Sequence, residues 1–109
     1  MSSKGSKGGG GLDLLDKNED KEKLKPPSKY KIIYHNDDKT PMQLVTLSLV
    51  EIYRHDPKTA QMLMVRVHEG GRAVVKDNIP KDIGESILAK TKQFFTAFGY
   101  DLNCTLEKQ

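Results

Sequence analysis

The stretch His35-Asn36-Asp37-Asp38-Lys39-Thr40-Pro41-Met42 constrains the fold more than any other part of the chain. An apolar run, Tyr30-Lys31-Ile32-Ile33-Tyr34, leads into three polar residues rich in acceptors, and a helix is predicted to begin directly behind them. Thr40 stands where a cap is needed and Pro41 takes the first helical position, where a fixed φ helps and no amide hydrogen is required. Gln43 lies at capping-box spacing from Thr40. A loop pinned between a strand and so explicit a helix start has little freedom. The rest of the chain reads as a scaffold that holds it against a helix carrying Met64 and His68.

In order along the chain, alternation from Lys29 to His35 predicts a first strand, with Tyr30, Ile32 and Tyr34 on one side. A first helix is expected from Pro41 to about Arg54, burying Val45, Leu49 and Ile52 with Leu44 and Leu47 beside them. Asp56-Pro57 opens a second helix, forming a tight hairpin with the first, and Gly70-Gly71 ends it near Glu69. On that helix Ala60, Leu63, Met64, Val67 and His68 share one face by their spacing. Arg72 to Lys76 is expected as a second strand. Asn78-Ile79-Pro80 starts a third helix, with Ile83, Ile87, Leu88, Thr91, Phe94, Phe95 and Phe98 on its core side and Gly99 as its stop. Tyr100 to Glu107 closes as a third strand. The order β-α-α-β-α-β predicts an α+β fold, an α/β sandwich with three helices on one face of a small three-stranded sheet.

Composition matters chiefly at the N-terminus. Residues 1–25 carry Gly8-Gly9-Gly10-Gly11 and a mixed-charge run from Asp16 to Lys25, too polar to offset the entropy of ordering, so a flexible extension is expected there, interrupted by Leu12, Leu14 and Leu15. Pro26-Pro27 marks the boundary of the domain, residues 26–109. A core of that size buries about 60% of its unfolded-chain surface, which favours a shallow surface site over an enclosed cavity. The 18 basic and 15 acidic residues are interspersed, giving +3 without a basic stripe, so nucleic acid is not an expected partner. The single cysteine, Cys104, excludes an internal disulfide, and no Cys/His spacing suggests zinc. With no apolar leader and no run of membrane-spanning length, a cytoplasmic protein without membrane association is expected.

The two-helix hairpin brings the end of the second helix back toward the start of the first, so His68 is expected near Asn36, Asp37 and Asp38. Amide oxygen, carboxylates and neutral imidazole form an acceptor-rich cluster suited to a cation with several donors. Metal-ligand spacing is lacking, and an ammonium group is the better match. Met42, Val45, Met64 and Val67 can line an apolar concavity beside it, although as a pattern alone they are ordinary core. Asn-Asp-Asp is equally a common strand-to-helix turn. No nucleophile triad or phosphate loop is present, which argues against an enzyme and against a required cofactor. An imidazole that accepts from an ammonium must be neutral, so binding is expected to weaken in acid.

Together, Asn36-Asp37-Asp38, Thr40-Pro41-Met42, Val67-His68, Leu102-Asn103-Cys104-Thr105-Leu106-Glu107-Lys108 and the lead-in Lys25-Pro26-Pro27-Ser28-Lys29-Tyr30-Lys31 resemble the ClpS family of bacterial protease adaptors. The resemblance covers residues 25–109 at consistent spacing. It implies a protein that binds the free N-terminus of proteins beginning with Leu, Phe, Tyr or Trp and delivers them to a Clp AAA+ unfoldase, ClpA-like or ClpC-like. It further implies that Asn36, Asp38 and His68 hold the substrate's α-amino group, with Asp37 adding negative potential. Thr40, Met42, Val45, Met64, Val67 and Leu102 would line the side-chain pocket, Met42 excluding β-branched residues. Asp82 and Glu85 fall where the family docks on its unfoldase, and residues 1–25 correspond to its N-terminal extension.

Three departures stand out. His35 replaces an apolar residue expected to line the pocket, Lys39 replaces an aromatic one, and Lys76 to Glu85 carries an extra residue. Two other readings are a small α/β domain that binds protein or RNA, and a metal-dependent hydrolase at Asp37, Asp38 and His68.

Overall fold

The computed structural model describes residues 28–109. The expected extension at residues 1–25, the Pro26-Pro27 boundary and the three leucines lie outside the described residues. The elements are β1 (Tyr30–His35), α1 (Met42–Glu51), α2 (Pro57–Gly70), β2 (Arg72–Ile79), α3 (Lys81–Ala97) and β3 (Cys104–Lys108), in the predicted order. β1 is the middle strand, antiparallel to β2 on one side and β3 on the other. A central strand is covered on both edges, which is why Ile32, Ile33 and Tyr34 are all buried.

Alternation along β1 sorts those three. Ile32 and Tyr34 enter the core beneath the helices, packed with Leu49, Tyr53, Val67 and Phe95. Ile33 points to the opposite face, paired with Val74 and Thr105. Two tyrosine hydroxyls inside this core have partners: Tyr34 bonds Ser48 Oγ at 2.8 Å and Tyr53 bonds Thr91 Oγ1 at 2.7 Å. Buried polar atoms without such partners would cost about 1–3 kcal/mol each.

The helix boundaries follow local chemistry. Asp56 caps α2 by accepting from the Thr59 amide at 2.7 Å, with Pro57 next. Gly71 ends α2 at φ +90°, a left-handed conformation that glycine adopts without steric penalty. The start of α1 differs from expectation. Pro41, not Thr40, is the cap residue, and no side chain closes a capping box. Thr40 precedes a proline, which disfavours helical angles, and its hydroxyl is bonded to Asp37 instead. α1 also ends at Glu51 rather than near Arg54, because Arg54 turns at φ +61°.

β2 extends three residues further than predicted, to Ile79. Its ladder with β1 shifts register twice, so β2 accommodates more residues than the strand beside it. Asn78 adopts φ +59°, a conformation asparagine tolerates better than most residues. At β3 the strand begins only at Cys104, later than the predicted Tyr100. Along α3, Thr91 and Phe95 are buried as expected, but Ile83 and Phe98 are exposed at 48% and 54%. Gly84 lets α3 approach the sheet, since a Cβ there would meet a Leu106 methyl at 2.6 Å.

Candidate functional site

Backbone hydrogen bonds stitch the end of β1 to two distant segments. His35 N donates to Asn103 O at 2.9 Å and Asn36 N to Gly71 O at 2.8 Å. The loop after β1 is thereby fixed against the C-terminal end of α2 and the entry to β3. Asn36 Nδ2 donates to His68 O at 3.4 Å, which brings Asn36 and the last turn of α2 together as the helical hairpin predicted. With that amide nitrogen turned to the helix, the exposed Asn36 keeps its Oδ1 as an acceptor.

Within the loop the two aspartates differ. One Asp37 oxygen accepts from the Lys39 and Thr40 amides at 3.0 and 2.8 Å, and the other accepts from Thr40 Oγ1 at 3.0 Å. Partial burial pushes this carboxyl up, but the Thr40 and Lys39 amides, the Thr40 hydroxyl and the Lys39 charge together hold it below its ordinary value. Asp37 is thus spent on shaping the turn. Asp38 is exposed, and its carboxylate meets no donor among the described residues.

His68 is exposed rather than sunk in the apolar face of α2, at the helix end where basic groups are favourable. Ala60, Leu63, Met64 and Val67 alone are buried on that helix. Asn36, Asp38 and His68 are thus all exposed, with Asn36 bonded to the backbone of His68.

The apolar side splits in two. Val45, Val67 and Leu102 are buried at 5%, 2% and 3% exposure and belong to the core. Met64, itself a core residue at 7% exposure, and the exposed Met42 wall an open groove of about 310 Å³ between α1 and α2, completed by Gln43, Thr46 and Gln61. Met42 stands at its mouth, 44% exposed. Thr40 is half-buried, its hydroxyl committed to Asp37. The three polar lining residues were not foreseen. Helix spacing would have found two of them, since Thr46 lies four residues after Met42 and Gln61 three before Met64.

His35 does not line the groove. Its ring bonds Thr105 Oγ1 at 2.9 Å on the sheet face opposite the helices, because alternation places it with Ile33. Asp82 and Glu85 are exposed near the start of α3, bordering a separate surface hollow with Tyr30 and Pro80. Among the described residues no three His, Cys, Asp or Glu side chains gather to hold a metal, and no helix is long and apolar enough to cross a membrane.

Fold and site together define a class: a small α+β domain with an acceptor-bearing loop set against the last turn of α2 and an apolar groove between α1 and α2. Residues 25–105 match the family described as ATP-dependent Clp protease adaptor protein ClpS. Similar curated proteins include the ATP-dependent Clp protease adapter protein ClpS of Janthinobacterium sp. (strain Marseille), 37% identical over 87 residues, spanning 80% of this chain and 84% of that protein. The Burkholderia cenocepacia (strain HI2424) protein of the same name is 36% identical, spanning 80% and 83%. Among solved structures, that of Agrobacterium tumefaciens ClpS2 bound to L-phenylalaninamide is similar with a TM-score of 0.73 and 31% identity, covering 77% of this chain and all of that one. The chain belongs to the ClpS family and is an adaptor of the ATP-dependent Clp protease.

Proposed function

We propose that this protein binds the free N-terminus of proteins whose first residue is Leu, Phe, Tyr or Trp, and hands them to a Clp AAA+ unfoldase in the cytoplasm. The observation that carries this reading is the juxtaposition of Asn36, on the loop, with the last turn of α2 that bears His68, beside a groove walled by Met42 and Met64. Asn36 Oδ1, the Asp38 carboxylate and the His68 imidazole hold the α-ammonium, and the first side chain enters between the methionines toward Val45, Val67 and Leu102. Thr40 borders that entry. Asp37 holds the loop in shape and adds negative potential. The L-phenylalaninamide bound by the Agrobacterium relative supports the assignment, since that molecule combines an α-ammonium with an aromatic side chain.

Selectivity follows from splitting the affinity. Burying a Leu or Phe side chain contributes about 1.5–3 kcal/mol and a hydrogen bond to a charged group about as much, so neither half suffices for tight binding. An internal Leu lacks the ammonium, and an N-terminal Lys lacks an apolar body to bury. The protein performs no chemistry on its cargo. Asp82 and Glu85 are the contacts proposed for the unfoldase, ClpA-like or ClpC-like, far along the chain from the cargo site.

Fluorescence anisotropy with labelled peptides beginning Phe or Leu, free or N-acetylated, tests the site. Free termini bind, acetylated termini do not, and Asp38→Ala and His68→Ala each lose binding. Equal binding of the acetylated peptide would overturn the assignment. Adding each unfoldase in turn with its protease, and repeating with Asp82→Lys/Glu85→Lys, identifies the partner through degradation of a Phe-initiated reporter.

A further inference from the structure

The groove between α1 and α2 continues past its two methionines. α1 leaves the acceptor loop and α2 returns to it, so Thr46 on one wall and Gln61 on the other lie farther from the loop than Met42 and Met64, with Gln43 beside Met42. Thr46 is already spent, its hydroxyl donating to Met42 O at 3.1 Å. Gln43 and Gln61 are exposed, and their amides meet no hydrogen-bond partner among the described residues. Each offers an acceptor oxygen and two N–H donors. No residue lining the groove is ionisable, so it has no means of selecting a charged side chain. A pair of uncharged amides, one on each wall, matches a peptide group, which carries one donor and one acceptor of its own.

We infer, resting on the cargo reading above, that Gln43 and Gln61 hold the cargo's main chain behind its first residue, bonding the C=O of its second residue and the N–H of its third. Reach agrees. With the ammonium at His68 and the first side chain turned inward between the methionines, the following chain runs out along the groove at about 3.3–3.6 Å per residue. The second residue's C=O then lies about 6–7 Å from the ammonium. Adding a hydrogen bond of about 3 Å brings it to a partner about 10 Å away. Gln61 precedes His68 by seven residues on α2, about 10 Å along the helix axis. A clamp on main-chain atoms adds affinity without reading the second side chain. Cargo is thereby chosen by its first residue, while binding still requires an extended segment behind it.

Calorimetric titration of the full chain with phenylalanine ethylamide and with Phe-Ala amide reads the clamp. The two ligands share the ammonium, the aromatic side chain, the first peptide group and the alanine carbons Cα and Cβ, but only the second carries a further peptide group. Wild type is expected to bind Phe-Ala amide about 5–30-fold tighter, the yield of two neutral hydrogen bonds. In Gln43→Ala/Gln61→Ala that ratio falls to near one. Both changes stand at exposed helical positions where Ala is the best helix former, so the variant keeps its fold. A ratio near one in wild type, with both ligands bound, overturns the clamp and leaves the cargo reading standing. A ratio that survives in the double variant assigns the bonds to other groups and overturns it equally. Failure of wild type to bind either ligand removes the cargo reading and the clamp with it.

Discussion

Asp37 and Asp38 are adjacent and chemically identical, yet the structure gives them different work, and separate substitution should expose it. Asp37 accepts three hydrogen bonds from Lys39 and Thr40. Bonds to a charged group contribute about 1.5–3 kcal/mol each at most, and the partly exposed setting discounts them. A comparable device, a helix-capping Asp cut to Ala, costs about 0.5–2 kcal/mol. Asp37→Ala is therefore expected to lower the unfolding free energy by about 1–2 kcal/mol in urea titrations at neutral pH. Because the loop carries Asn36 and Asp38, the same loss of order should weaken binding of a Phe-initiated peptide by about 5–30-fold. Asp38→Ala should abolish binding with stability unchanged. The pH dependence has a definite sign: the folded carboxyl lies below its ordinary value of 3.8, so its contribution is present above that pH and lost as pH falls through the folded value. Wild type and Asp37→Ala should converge in acid. Unchanged stability in Asp37→Ala, or equal destabilisation by Asp38→Ala, would refute the division of roles.

Three further outcomes are expected. Met42→Ala, at an exposed site, should leave the urea midpoint nearly unchanged but allow peptides beginning Val or Ile to bind, as read by anisotropy; continued exclusion would show that Met42 is not the gate. Gly84→Val should lower stability by about 1–3 kcal/mol through overpacking against Leu106, visible as a drop in Tm; an unchanged Tm would mean α3 shifts without cost. Above pH 9 stability should fall, because burial pushes the Cys104 thiol up from 9.0 to about 12 and the unfolded chain ionises first. Burial of Tyr34 and Tyr53 extends the same decline above pH 10, and Cys104→Ala should flatten its first part.

Elements with strong local punctuation were legible from residues alone. Asp56-Pro57 and Gly71 bound α2 as their chemistry demands, and the alternation in β1 is real. Competing local bonds defeated the reading elsewhere. Thr40 has the spacing of a cap, but proline behind it and Asp37 ahead of it take it out of that role. Asn78-Ile79-Pro80 reads as a helix start, whereas β2 continues through Asp77 and Asn78 to Ile79 and the helix begins only at Lys81. At the proposed site, topology alone suggests grouping Asn36, Asp37 and Asp38 with His68, because a helical hairpin returns to its origin, and Asn36 does meet the backbone of His68. Burial could not be read so directly. His68 shares the spacing of the core stripe yet lies past its buried end, and His35 precedes the acceptor loop yet faces the other side of the sheet. Gln43, Thr46 and Gln61 carry no motif, and their place in the groove depends on how α1 and α2 pack.

The location of the loop also explains why its acceptors can be left exposed without being left loose. In the proposed site an open rim of carboxylate, amide and imidazole keeps its hydration until the α-ammonium arrives, which avoids the penalty of burying unpaired polar groups. Openness alone would let the rim fluctuate and lose affinity to ordering entropy. Here the backbone on either side supplies the rigidity: His35 N and Asn36 N are held by Asn103 and Gly71, and Asp37 closes the turn toward Thr40. Each anchor comes from a different region of the chain, so the rim is assembled only when β1, the end of α2 and the entry to β3 have come together. In the proposed site, recognition of a protein's first residue is thereby tied to completion of the sheet, with side chains left to make contact and main chain left to hold position.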